Sequence, residues 1–576
     1  MPERAEQGEN MSQNNGVHGE AGATSTTTST STASTDASLN ARAKTPKGGN
    51  RAGRNGNGRN PKWWLWSLIA VIVVSALVVG VNAFFTNKQN GENGSASTSG
   101  TAAAKQADTV SIGLKLAPVN LDIRHQSGSA LEQILIGNVY ESLVSRGSDN
   151  KVHPGLAKSW EISDDGLTYT FHLNEHMVFS NGDALDADDV AWSINELKAN
   201  KYYNYDQVKN LEKAEAVDSK TVKITLSAPD SNMLWYLTGR PGLVYDKDGK
   251  WDEKTGALGS GPYTVSSFDP SDKIVFKANP KYWGTEHKAK TENVIIRFLP
   301  DDNAGINALK SGDVQVLSPI TATLAEPFRK DSDYVVKEGD GSDKFVLAFN
   351  MTNPKLADKR VRQAIRYGID HQQIIASRGG VDSPLGGPIP KVDPGYEDLT
   401  DLYPHDEAKA KQLMAEAGYS ESKPLQLTLT YANVYGTELG DQLKSQLKPI
   451  GIDLKINYVE FSTWLQDVHT NGDYDLSLVD HAESHDFYKW ATPSYYYHYD
   501  SKEVQDLYAK ALAATSDDEA SKYLAQAAKI VSEDAPADWL FSWRVTQAYA
   551  KGVSGYPENL SQTVLPLWQV TYTPGK

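Results

Sequence analysis

Apolar and polar residues alternate with a period of two in several short stretches, the first of which is TVSIGLKL from residue 109. Such alternation places one side of an extended strand against a core and the other toward solvent. The alternating apolar positions are Leu167, Tyr169, Phe171 and Leu173; Val222, Ile224 and Leu226; Val294, Ile296 and Phe298; Leu425, Leu427, Leu429 and Tyr431; and Ile452, Leu454, Ile456 and Tyr458. The pattern predicts β-strands throughout the chain beyond residue 108.

Between these stretches, apolar residues recur at the spacing of amphipathic helices. Residues 358–375 (DKRVRQAIRYGIDHQQII) predict one helix with Asp358 as its N-cap. Residues 503–533 predict a pair of helices, with Ser516 and Asp517 opening the second. Strands and helices mixed in this way predict an α/β protein of more than one lobe.

The first 107 residues have a different pattern. Residues 1–62 hold too little apolar surface to offset the entropy cost of folding, so they are predicted to be disordered. Residues 63–85 (WWLWSLIAVIVVSALVVGVNAFF) carry no charge, and as a helix they would span about 35 Å, enough to cross a bilayer. Residues 86–107 are polar and rich in Gly and Ser, which predicts a flexible linker.

Two interpretations of residues 63–85 are open. A secretory signal would be cleaved after the small residue Ala83, whereas an anchor would stay in the membrane. Residues 41–62 contain seven basic residues and no acidic one, and the positive-inside rule places such a block in the cytoplasm. We favour the anchor, which predicts a cell-membrane protein with its main part on the outer face.

Composition excludes several function classes. The chain has 576 residues, a formal net charge of −16 and no cysteine. Without cysteine there is no disulfide, no Cys-ligated metal site and no thiol nucleophile. The negative charge argues against a nucleic-acid partner. The sequence also has no G-x-S-x-G elbow, no P-loop and no dinucleotide fingerprint after a strand, so neither an enzyme nor a cofactor is expected.

Longer sequence motifs identify a protein family more specifically than the periodicity of apolar residues does. They are residues 153–194, which begin HPGLAKSWEISDDGLTYTFHL; 259–283, GSGPYTVSSFDPSDKIVFKANPKYW; 349–375, FNMTNPKLADKRVRQAIRYGIDHQQII; 138–144, NVYESLV; and 474–481, YDLSLVDH. In these phrases and their order, the chain resembles the family 5 extracellular solute-binding proteins of ABC importers, which include oligopeptide, dipeptide and nickel-chelate receptors. The resemblance extends from residue 108 nearly to the C-terminus.

The resemblance implies a periplasmic-binding-protein fold of type II, with two lobes that close on a ligand and a third, smaller domain. By position, lobe I comprises residues 108–152, 259–345 and 541–576, the extra domain residues 153–258, and lobe II residues 346–540. Hinges are expected near residues 345 and 540. Similar receptors of single-membrane bacteria are usually held by a lipidated cysteine, which this chain lacks, so the apolar segment is expected to anchor it in such a bacterium.

The resemblance also implies where a ligand binds. In similar peptide receptors a strand leads into a loop that pairs with the extended peptide, and an acidic residue of that loop binds the peptide's α-ammonium. Here YDLSLV leads into Asp480, His481, Ala482, Glu483, Ser484, His485 and Asp486, and the alignment of phrases places Glu483 at the acidic position. A carboxylate buried by lobe closure needs a cation, which an α-ammonium supplies with up to three donors. The alternative for Glu483 is an exposed loop carboxylate.

The same loop has a second interpretation. On a helix, His481, Glu483 and His485 would bring two imidazoles near a carboxylate, which would suit a metal or a metal chelate, although ordinary hydrogen bonding by such His residues is more frequent. Trp490 begins the aromatic run WATPSYYYHY. Its rings would either stack on aromatic side chains or sugars of a ligand, or pack within a covering loop.

Two further segments are candidates for the cleft wall. By family position the loop LAPVNLDIRHQS (116–127) faces the cleft, where Asp122, His125 and Gln126 would contribute polar contacts or else only shape the turn. Asn350, at the end of FVLAFN, would bond to the ligand or cap the turn before Pro354.

The predicted function is that of an extracytoplasmic receptor, a monomer that captures oligopeptides by lobe closure and delivers them to the permease of an ABC importer. An oligosaccharide is the alternative ligand, and a metal chelate is a third. A sensory receptor is the alternative class, although residues 1–62 contain no recognisable output domain. The receptor itself makes no chemical change in the ligand.

Overall fold

The computed structural model describes residues 105–575. The disordered segment, the membrane anchor and most of the linker that the sequence predicts lie outside these residues. Within the described part of the chain, no helix combines the length and the apolar character that crossing a membrane requires.

Strands and helices are interleaved along the described chain. The strands are β1 (Thr109–Leu114), β2 (Val144–Arg146), β3 (Val152–Pro154), β4 (Ala157–Ile162), β5 (Thr168–Leu173), β6 (Leu211–Asp218), β7 (Thr221–Leu226), β8 (Tyr263–Asp269), β9 (Lys273–Ala278), β10 (Asn293–Phe298), β11 (Val316–Ser318), β12 (Tyr334–Phe349), β13 (Leu425–Ala432), β14 (Ile452–Val459), β15 (Leu476–His481), β16 (Ala537–Ala550), β17 (Val553–Ser554) and β18 (Thr571–Tyr572). The α-helices are α1 (Ser129–Leu135), α2 (Ala187–Ala199), α3 (Met233–Tyr236), α4 (Asp302–Ser311), α5 (Glu326–Arg329), α6 (Lys359–Gly368), α7 (His371–Ser377), α8 (Glu407–Glu416), α9 (Glu438–Leu447), α10 (Phe461–Trp464), α11 (Tyr488–Ala491), α12 (Lys502–Ala513) and α13 (Asp517–Asp534). This mixture confirms the predicted α/β class.

A mixed sheet of ten strands runs through the molecule in the order β14-β13-β15-β12-β16-β11-β1-β10-β9-β8. On one side of β12 and β16, β13 is parallel to β14 and β15; on the other side, β1 is parallel to β10 and β11. Each half has its own apolar core, one around Ile365, Leu429 and Leu478 and the other around Ile112, Phe276 and Ile296. The sheet is therefore continuous while its cores are separate.

A second sheet of four antiparallel strands, β4-β5-β7-β6, lies within the segment predicted as the extra domain. In β5 the predicted inward residues Tyr169, Phe171 and Leu173 are all buried, and their neighbours face outward. Together with α2 they form a third core. The domain boundaries themselves stay a prediction.

The helix predictions hold with one correction. Ser516 caps α13 as expected, since its side chain accepts a hydrogen bond from the Glu519 N–H. The single helix predicted from Asp358 is two helices, because α6 ends at Gly368 and a new helix, α7, starts after it. The break has a local cause: the Asp370 side chain accepts from the Gln373 N–H at 2.9 Å and so caps a new helix.

The edge strand β14 also departs from its prediction. Ile452 and Leu454 are buried as the alternation requires, but Tyr458 is 37% exposed. Its hydroxyl donates to the Thr437 carbonyl at 3.1 Å, at the rim of the sheet. Alternation identifies the inward side of the strand but not where the core beneath it ends.

Two long strands, β12 and β16, pass between the halves of the large sheet. They pair with each other along almost their full length, and their register is irregular between Asp340 and Lys344. Beyond this irregularity, residues 344–349 pair with β15, whereas β16 pairs with β11 at its other end. The hinges predicted near residues 345 and 540 would lie within these strands, and their hinge motion stays a prediction.

The crossing strands tolerate no added side chain at Gly339. A Cβ there would overlap the backbone carbonyl of Glu558, so Gly339→Ala should lower the free energy of unfolding by about 1–3 kcal/mol. Urea titration measures the change. The matched control is Gly256→Ala, where the nearest atom to an added Cβ is 3.6 Å away and a change within about 0.5 kcal/mol is expected. Equal stability of the two variants would contradict the prediction.

Candidate ligand-binding cleft

A large cavity of about 2400 Å³ opens between the two halves of the ten-stranded sheet and the region of the four-stranded sheet. Its wall takes residues from the loop after β1, from β2, from α3, from the crossing strand β12 and from the loop after β15. Aromatic rings on the wall include Tyr202, Tyr203, Tyr236, Tyr435, Trp543 and Trp568. A cavity between separately packed regions is a usual place for a ligand.

Two carboxylates, Asp343 and Asp480, form an acidic end of the cavity. Asp480 is near the end of β15, where it pairs with Phe345 of β12, and its Oδ1 is shielded from solvent without a hydrogen-bond partner in the described part of the chain. Burial raises the pKa of Asp480 well above 3.8, and the Asp343 carboxylate raises it further. Burial likewise raises the pKa of Asp343. The two groups resist carrying two negative charges together, and a cation placed between them would relieve this.

Two buried lysines, Lys344 and Lys489, fasten the loop that follows β15. Lys344 Nζ donates to the Glu483 carbonyl at 2.7 Å and lies 3.2 Å from Asp486 Oδ1. Lys489 Nζ lies 3.1 Å from Glu483 Oε2 and 3.4 Å from Asp486 Oδ2. Burial alone would raise the pKa of Asp486, but the two ammonium groups outweigh it and the pKa is lowered. The two lysine ammonium groups thus balance the two carboxylates of the loop, Glu483 and Asp486.

A stack of three side chains, the Arg146 stack, lies on the wall near the other end of the same loop. The Arg146 guanidinium carbon is 5.0 Å from the Trp235 ring centre, and the Trp235 indole stacks on His485 at 4.4 Å with 19° between the planes. Burial lowers the pKa of Arg146 to about 10. Burial, followed by the Arg146 charge, lowers the pKa of His485 to about 3, so this imidazole stays neutral.

Hydrogen bonds join β2 and its turn to the opposite wall. Asn150 accepts from Arg146 Nε at 2.7 Å and donates to both Asp393 Oδ1 and Ser484 Oγ at 2.8 Å. Asp393 Oδ2 also accepts from the His485 N–H at 3.0 Å. These contacts hold the loop after β15 against Asp393 and against Asn150, which lies 334 positions before Ser484 in the sequence, and they bring the two walls of the cavity together.

A sequence profile described as "Bacterial extracellular solute-binding proteins, family 5 Middle" matches residues 151–527. The chain belongs to family 5 of the bacterial extracellular solute-binding proteins. Its fold is accordingly the type II periplasmic-binding-protein fold, and it is a substrate-binding receptor of the ABC-transporter class rather than an enzyme. Members of family 5 act outside the cytoplasm.

Similar proteins include the glutathione-binding protein GsiB of Salmonella paratyphi A, which is 25% identical over 455 residues, or 75% of this chain and 88% of GsiB. Among solved structures, the ABC transporter substrate-binding protein CtaP of Listeria monocytogenes has a TM-score of 0.72 at 25% identity, covering 81% of this chain and 100% of CtaP. DppA of Helicobacter pylori, in complex with the peptide STSA, has a TM-score of 0.66 at 24% identity, covering 81% and 98%.

The structure brings some of the predicted family 5 site residues to the cavity wall. Asp480, Ala482, Glu483 and His485 line it from one side, and His125 lines it from another. Glu483, predicted as the acidic ligand contact, has 39% of its side chain exposed and already shares the Lys489 ammonium. The loop thus lines the cavity, and its binding role stays a prediction. Within residues 105–575, Asp480 is the carboxylate of this segment whose oxygen is shielded without a hydrogen-bond partner.

Other predicted residues lie elsewhere. Asn350 is buried and donates to the Gly472 and Tyr474 carbonyls, both at 2.9 Å. Trp490 is buried against Tyr497 and Trp539. Asp486 is buried in the lysine contacts described above, Asp122 is buried beside His125, and Gln126 is exposed without lining the cavity. The buried members of this set are therefore engaged within the protein, Asn350 by hydrogen bonds, Trp490 by aromatic packing and Asp486 by ion pairs.

His481, Glu483 and His485 do not lie on a helix, which the metal hypothesis required. His481 ends strand β15 and is buried, where Tyr497 and Lys489 contact its two ring nitrogens, whereas His485 lies in the following loop. In the described residues, one group of three potential metal ligands occurs, Asp122, His125 and Glu253. Asp122 bonds to the His125 ring at 2.9 Å and Glu253 pairs with Arg124 at 3.1 Å, so contacts within the protein account for this group.

Sequence reasoning missed four polar groups of this site, namely Arg146, Asp343, Lys344 and Lys489. A signal was available for the lysines, because Lys344 immediately precedes the apolar run of KFVLAF and Lys489 lies among the aromatic residues of DFYKWA. A lysine in such a setting is rarely buried unless it is paired. For Arg146 the corresponding signal is that it is the basic residue at the end of ESLVSR, shortly after the apolar pair Leu143 and Val144.

Removing the Lys489 ammonium should destabilise the protein. Lys489→Met leaves Glu483 and Asp486 with one fewer cation at a site where the lysine side chain is 2% exposed, and we expect a loss of about 3 kcal/mol in the free energy of unfolding. Chemical denaturation measures it. Lys502→Met is the matched control, since Lys502 pairs with Asp506 while 84% exposed, and it should change stability by less than about 0.5 kcal/mol. A Lys489 variant as stable as the control would refute the buried-pair argument.

Proposed function

We propose that this receptor captures oligopeptides in the cavity and delivers them to the permease of an ABC importer. The observation that supports a peptide most directly is the acidic end. Asp343 and Asp480 face the cavity with raised pKa values, and Asp480 Oδ1 has no partner among the described residues. An α-ammonium provides both the charge and the hydrogen-bond donors that this pair lacks.

Charge balance favours the same assignment. Lys344 and Lys489 are matched by Glu483 and Asp486, so neither lysine is available to neutralise the acidic end fully. Arg378, which also acts on Asp480, is itself paired with Asp382 at 2.6 Å. An excess of negative charge therefore remains at the cavity wall. We assign the ligand ammonium to Asp480, with Asp343 behind it and Glu483 as a second carboxylate within the same loop.

In the proposed function, closure of the two lobes on the ligand precedes its delivery to the permease. The bonds of Asn150 to Asp393 and Ser484 join walls that belong to different predicted domains. A ligand that contacts both walls adds to these bonds and favours the closed form by its differential affinity. The closed monomer would then dock on the permease. Residues 63–85, which lie outside the described chain, would hold the receptor at the outer face of the membrane.

Ligands of similar proteins support a peptide, with a metal chelate as one competitor. GsiB proteins are named for glutathione, and the H. pylori DppA structure contains the peptide STSA. NikA of Staphylococcus aureus, 20% identical with a TM-score of 0.64, is in complex with Ni(L-His)2. An oligosaccharide is the second candidate here, because rings such as Tyr202, Trp235 and Trp543 line the cavity and could stack on sugars.

Native mass spectrometry tests the ligand class. Full-length protein purified from cells grown in rich medium should retain a set of adducts whose masses and fragmentation are those of peptides, because an unmatched acidic end holds their ammonium groups. The adducts should be lost after partial unfolding and refolding. Oligosaccharide adducts would replace the peptide assignment, and adducts that contain a metal would support the chelate alternative.

The acidic end should make peptide affinity depend on pH. Because the pKa values of Asp343 and Asp480 are raised, the ligand-free pair takes up a proton as the pH falls, and an α-ammonium must displace it. Affinity should therefore decrease as the pH is lowered from about 7 to about 5, by up to about tenfold per pH unit for one displaced proton. Isothermal titration calorimetry with a captured peptide measures this slope.

Two variants distinguish a specific role of the acidic end from a general effect of negative charge on the cavity wall. Asp480→Asn should bind the peptide more weakly at neutral pH and show a flatter pH profile. Glu286→Gln removes an exposed carboxylate from the same cavity wall and should keep the wild-type profile. A wild-type affinity that does not change over this pH range would exclude the proposed ammonium site.

A further inference from the structure

We propose that Asp230, Tyr236 and Tyr508 form a subsite of the cavity, the Asp230 subsite, which binds the basic side chain of a peptide. The receptor then prefers peptides that contain arginine or lysine. This inference rests on the proposed peptide function and adds a side-chain preference to it. The three residues line the cavity and are distinct from the two carboxylates of the acidic end.

The Asp230 subsite lies where the loop after β7 meets helix α12. Asp230 belongs to this loop, and the N–H of the next residue, Ser231, donates to the Leu512 carbonyl of α12 at 2.9 Å. Tyr236 is the last residue of α3, and Tyr508 lies within α12. Helices α3 and α12 belong to different predicted domains, so a side chain bound between them contacts both.

The Asp230 carboxylate is buried, yet its hydrogen bonds are few and long. The residue is 5% exposed. Its Oδ1 accepts from the Asn232 N–H at 3.2 Å, and its Oδ2 accepts from the side-chain amide of Asn210 at 3.3 Å. A carboxylate oxygen can accept two hydrogen bonds, so both oxygens can take a further donor. Burial raises the pKa of Asp230 to about 6, which leaves the group mostly ionised at neutral pH.

No adjacent cation balances this carboxylate within residues 105–575, where Asp230 forms no ion pair within 4.0 Å. The positive charge that acts on it from further away is that of Lys209, which is exposed on the same cavity wall. Solvent and salt screen an exposed charge, so Lys209 balances the buried carboxylate only in part. A buried charge without a direct partner is unfavourable, and a ligand cation beside it would relieve this cost.

Other buried carboxylates show what Asp230 lacks. Asp538 pairs with Arg366 at 3.1 Å and with His371 at 2.9 Å. Glu141 accepts hydrogen bonds of 2.8–2.9 Å from three side chains and does not line the cavity. Contacts within the protein satisfy both groups. Asp230 differs because it faces the cavity with two long hydrogen bonds and no adjacent cation.

Tyr236 and Tyr508 provide the other walls of the subsite. After burial, the Asp230 charge is the next cause that raises the pKa of both hydroxyls, so the carboxylate lies near both side chains. A tyrosine ring attracts a cation through its face, and its hydroxyl oxygen can accept a hydrogen bond from an ammonium or a guanidinium. A carboxylate between two such side chains therefore favours a basic ligand group over a neutral or acidic one.

The subsite is within reach of a peptide held at the acidic end. The Glu483 charge also acts on Tyr236, so the loop after β15 passes near the subsite. Glu483 follows Asp480 by three residues, which span at most about 10 Å. An extended peptide rises about 3.4 Å per residue. With the α-ammonium at Asp480, the basic side chain therefore belongs to roughly the first four residues of the peptide.

The test compares matched pools of synthetic pentapeptides that have a free α-ammonium and otherwise neutral residues. In one pool of each pair, arginine occupies one of the first four positions; in the other pool, citrulline, its neutral isostere, occupies the same position. Competition titrations with the full-length protein should show, for at least one position, that wild type binds the arginine pool about 10-fold more tightly in Kd, as expected for a charge-assisted hydrogen bond. Lysine and norleucine form a second pair.

Three variants assign the preference to the subsite. Asp230→Asn keeps an Oδ1 acceptor for the Asn232 N–H but removes the charge, so it should bind the arginine pool about 10-fold more weakly than wild type and the citrulline pool equally. Tyr236→Phe keeps the ring and removes the hydroxyl, and it should reduce the preference in part. The matched control is Glu286→Gln, which removes an exposed carboxylate from the same cavity wall and should keep the preference.

The outcomes distinguish this inference from the proposed function. Equal binding of basic and neutral pools by wild type at every position would overturn the Asp230 subsite while peptide binding stands. A preference that Asp230→Asn retains would also overturn it. If no pool binds, the peptide function and this inference fail together. A preference lost in Asp230→Asn and kept in Glu286→Gln supports the subsite. If Asp230→Asn does not fold, an unchanged preference in Tyr236→Phe overturns the subsite and a reduced one supports it.

Discussion

The pairing of β12 with β16 is the constraint on which the rest of the structure depends. These two strands carry the ten-stranded sheet from one set of apolar cores to the other, and their register is irregular between Asp340 and Lys344. Asp343 and Lys344 lie at this irregularity, so the acidic end and one of the two buried lysines belong to the backbone that connects the halves. A ligand that binds there acts directly on the connection.

The loop after β15 is fixed to the crossing by buried polar contacts. Ser342 donates to the Ala482 carbonyl at 2.7 Å and Lys344 to the Glu483 carbonyl at 2.7 Å. Buried lysines cost desolvation energy that an apolar side chain would avoid. Their benefit is positional, because Lys344 holds the Glu483 carbonyl and Lys489 holds the Glu483 and Asp486 carboxylates in one place, while Asp480 lines the cavity. The fixed loop thus follows directly on Asp480, which lies in β15.

Much of the fold could be predicted from the sequence, and less of the site. Alternation in β5 and the cap at Ser516 are local signals, and the structure confirms them. The family phrases pointed to the loop after β15, which the structure places on the cavity wall, and its role in ligand binding stays a prediction. Alignment alone could not show that Glu483 shares the Lys489 ammonium, because the partner of a carboxylate depends on packing rather than on position in the sequence. Arg146 was missed for the same reason: its surroundings come from Asp393, Trp235 and His485, which are distant in the chain.

The carboxylates of Asp343 and Asp480 and the large volume of the cavity together determine which ligands this cleft can distinguish. The cavity of about 2400 Å³ is much larger than a backbone of a few residues, so water can fill the space around ligand side chains and reduce the cost of exchanging one for another. Asp480, in contrast, has a shielded oxygen without a partner among the described residues, which penalises a ligand that supplies no positive charge there. Under the proposed peptide function, discrimination should therefore be strong for the ammonium group of the ligand and weak for most of its sequence. One receptor would then serve peptides of many sequences.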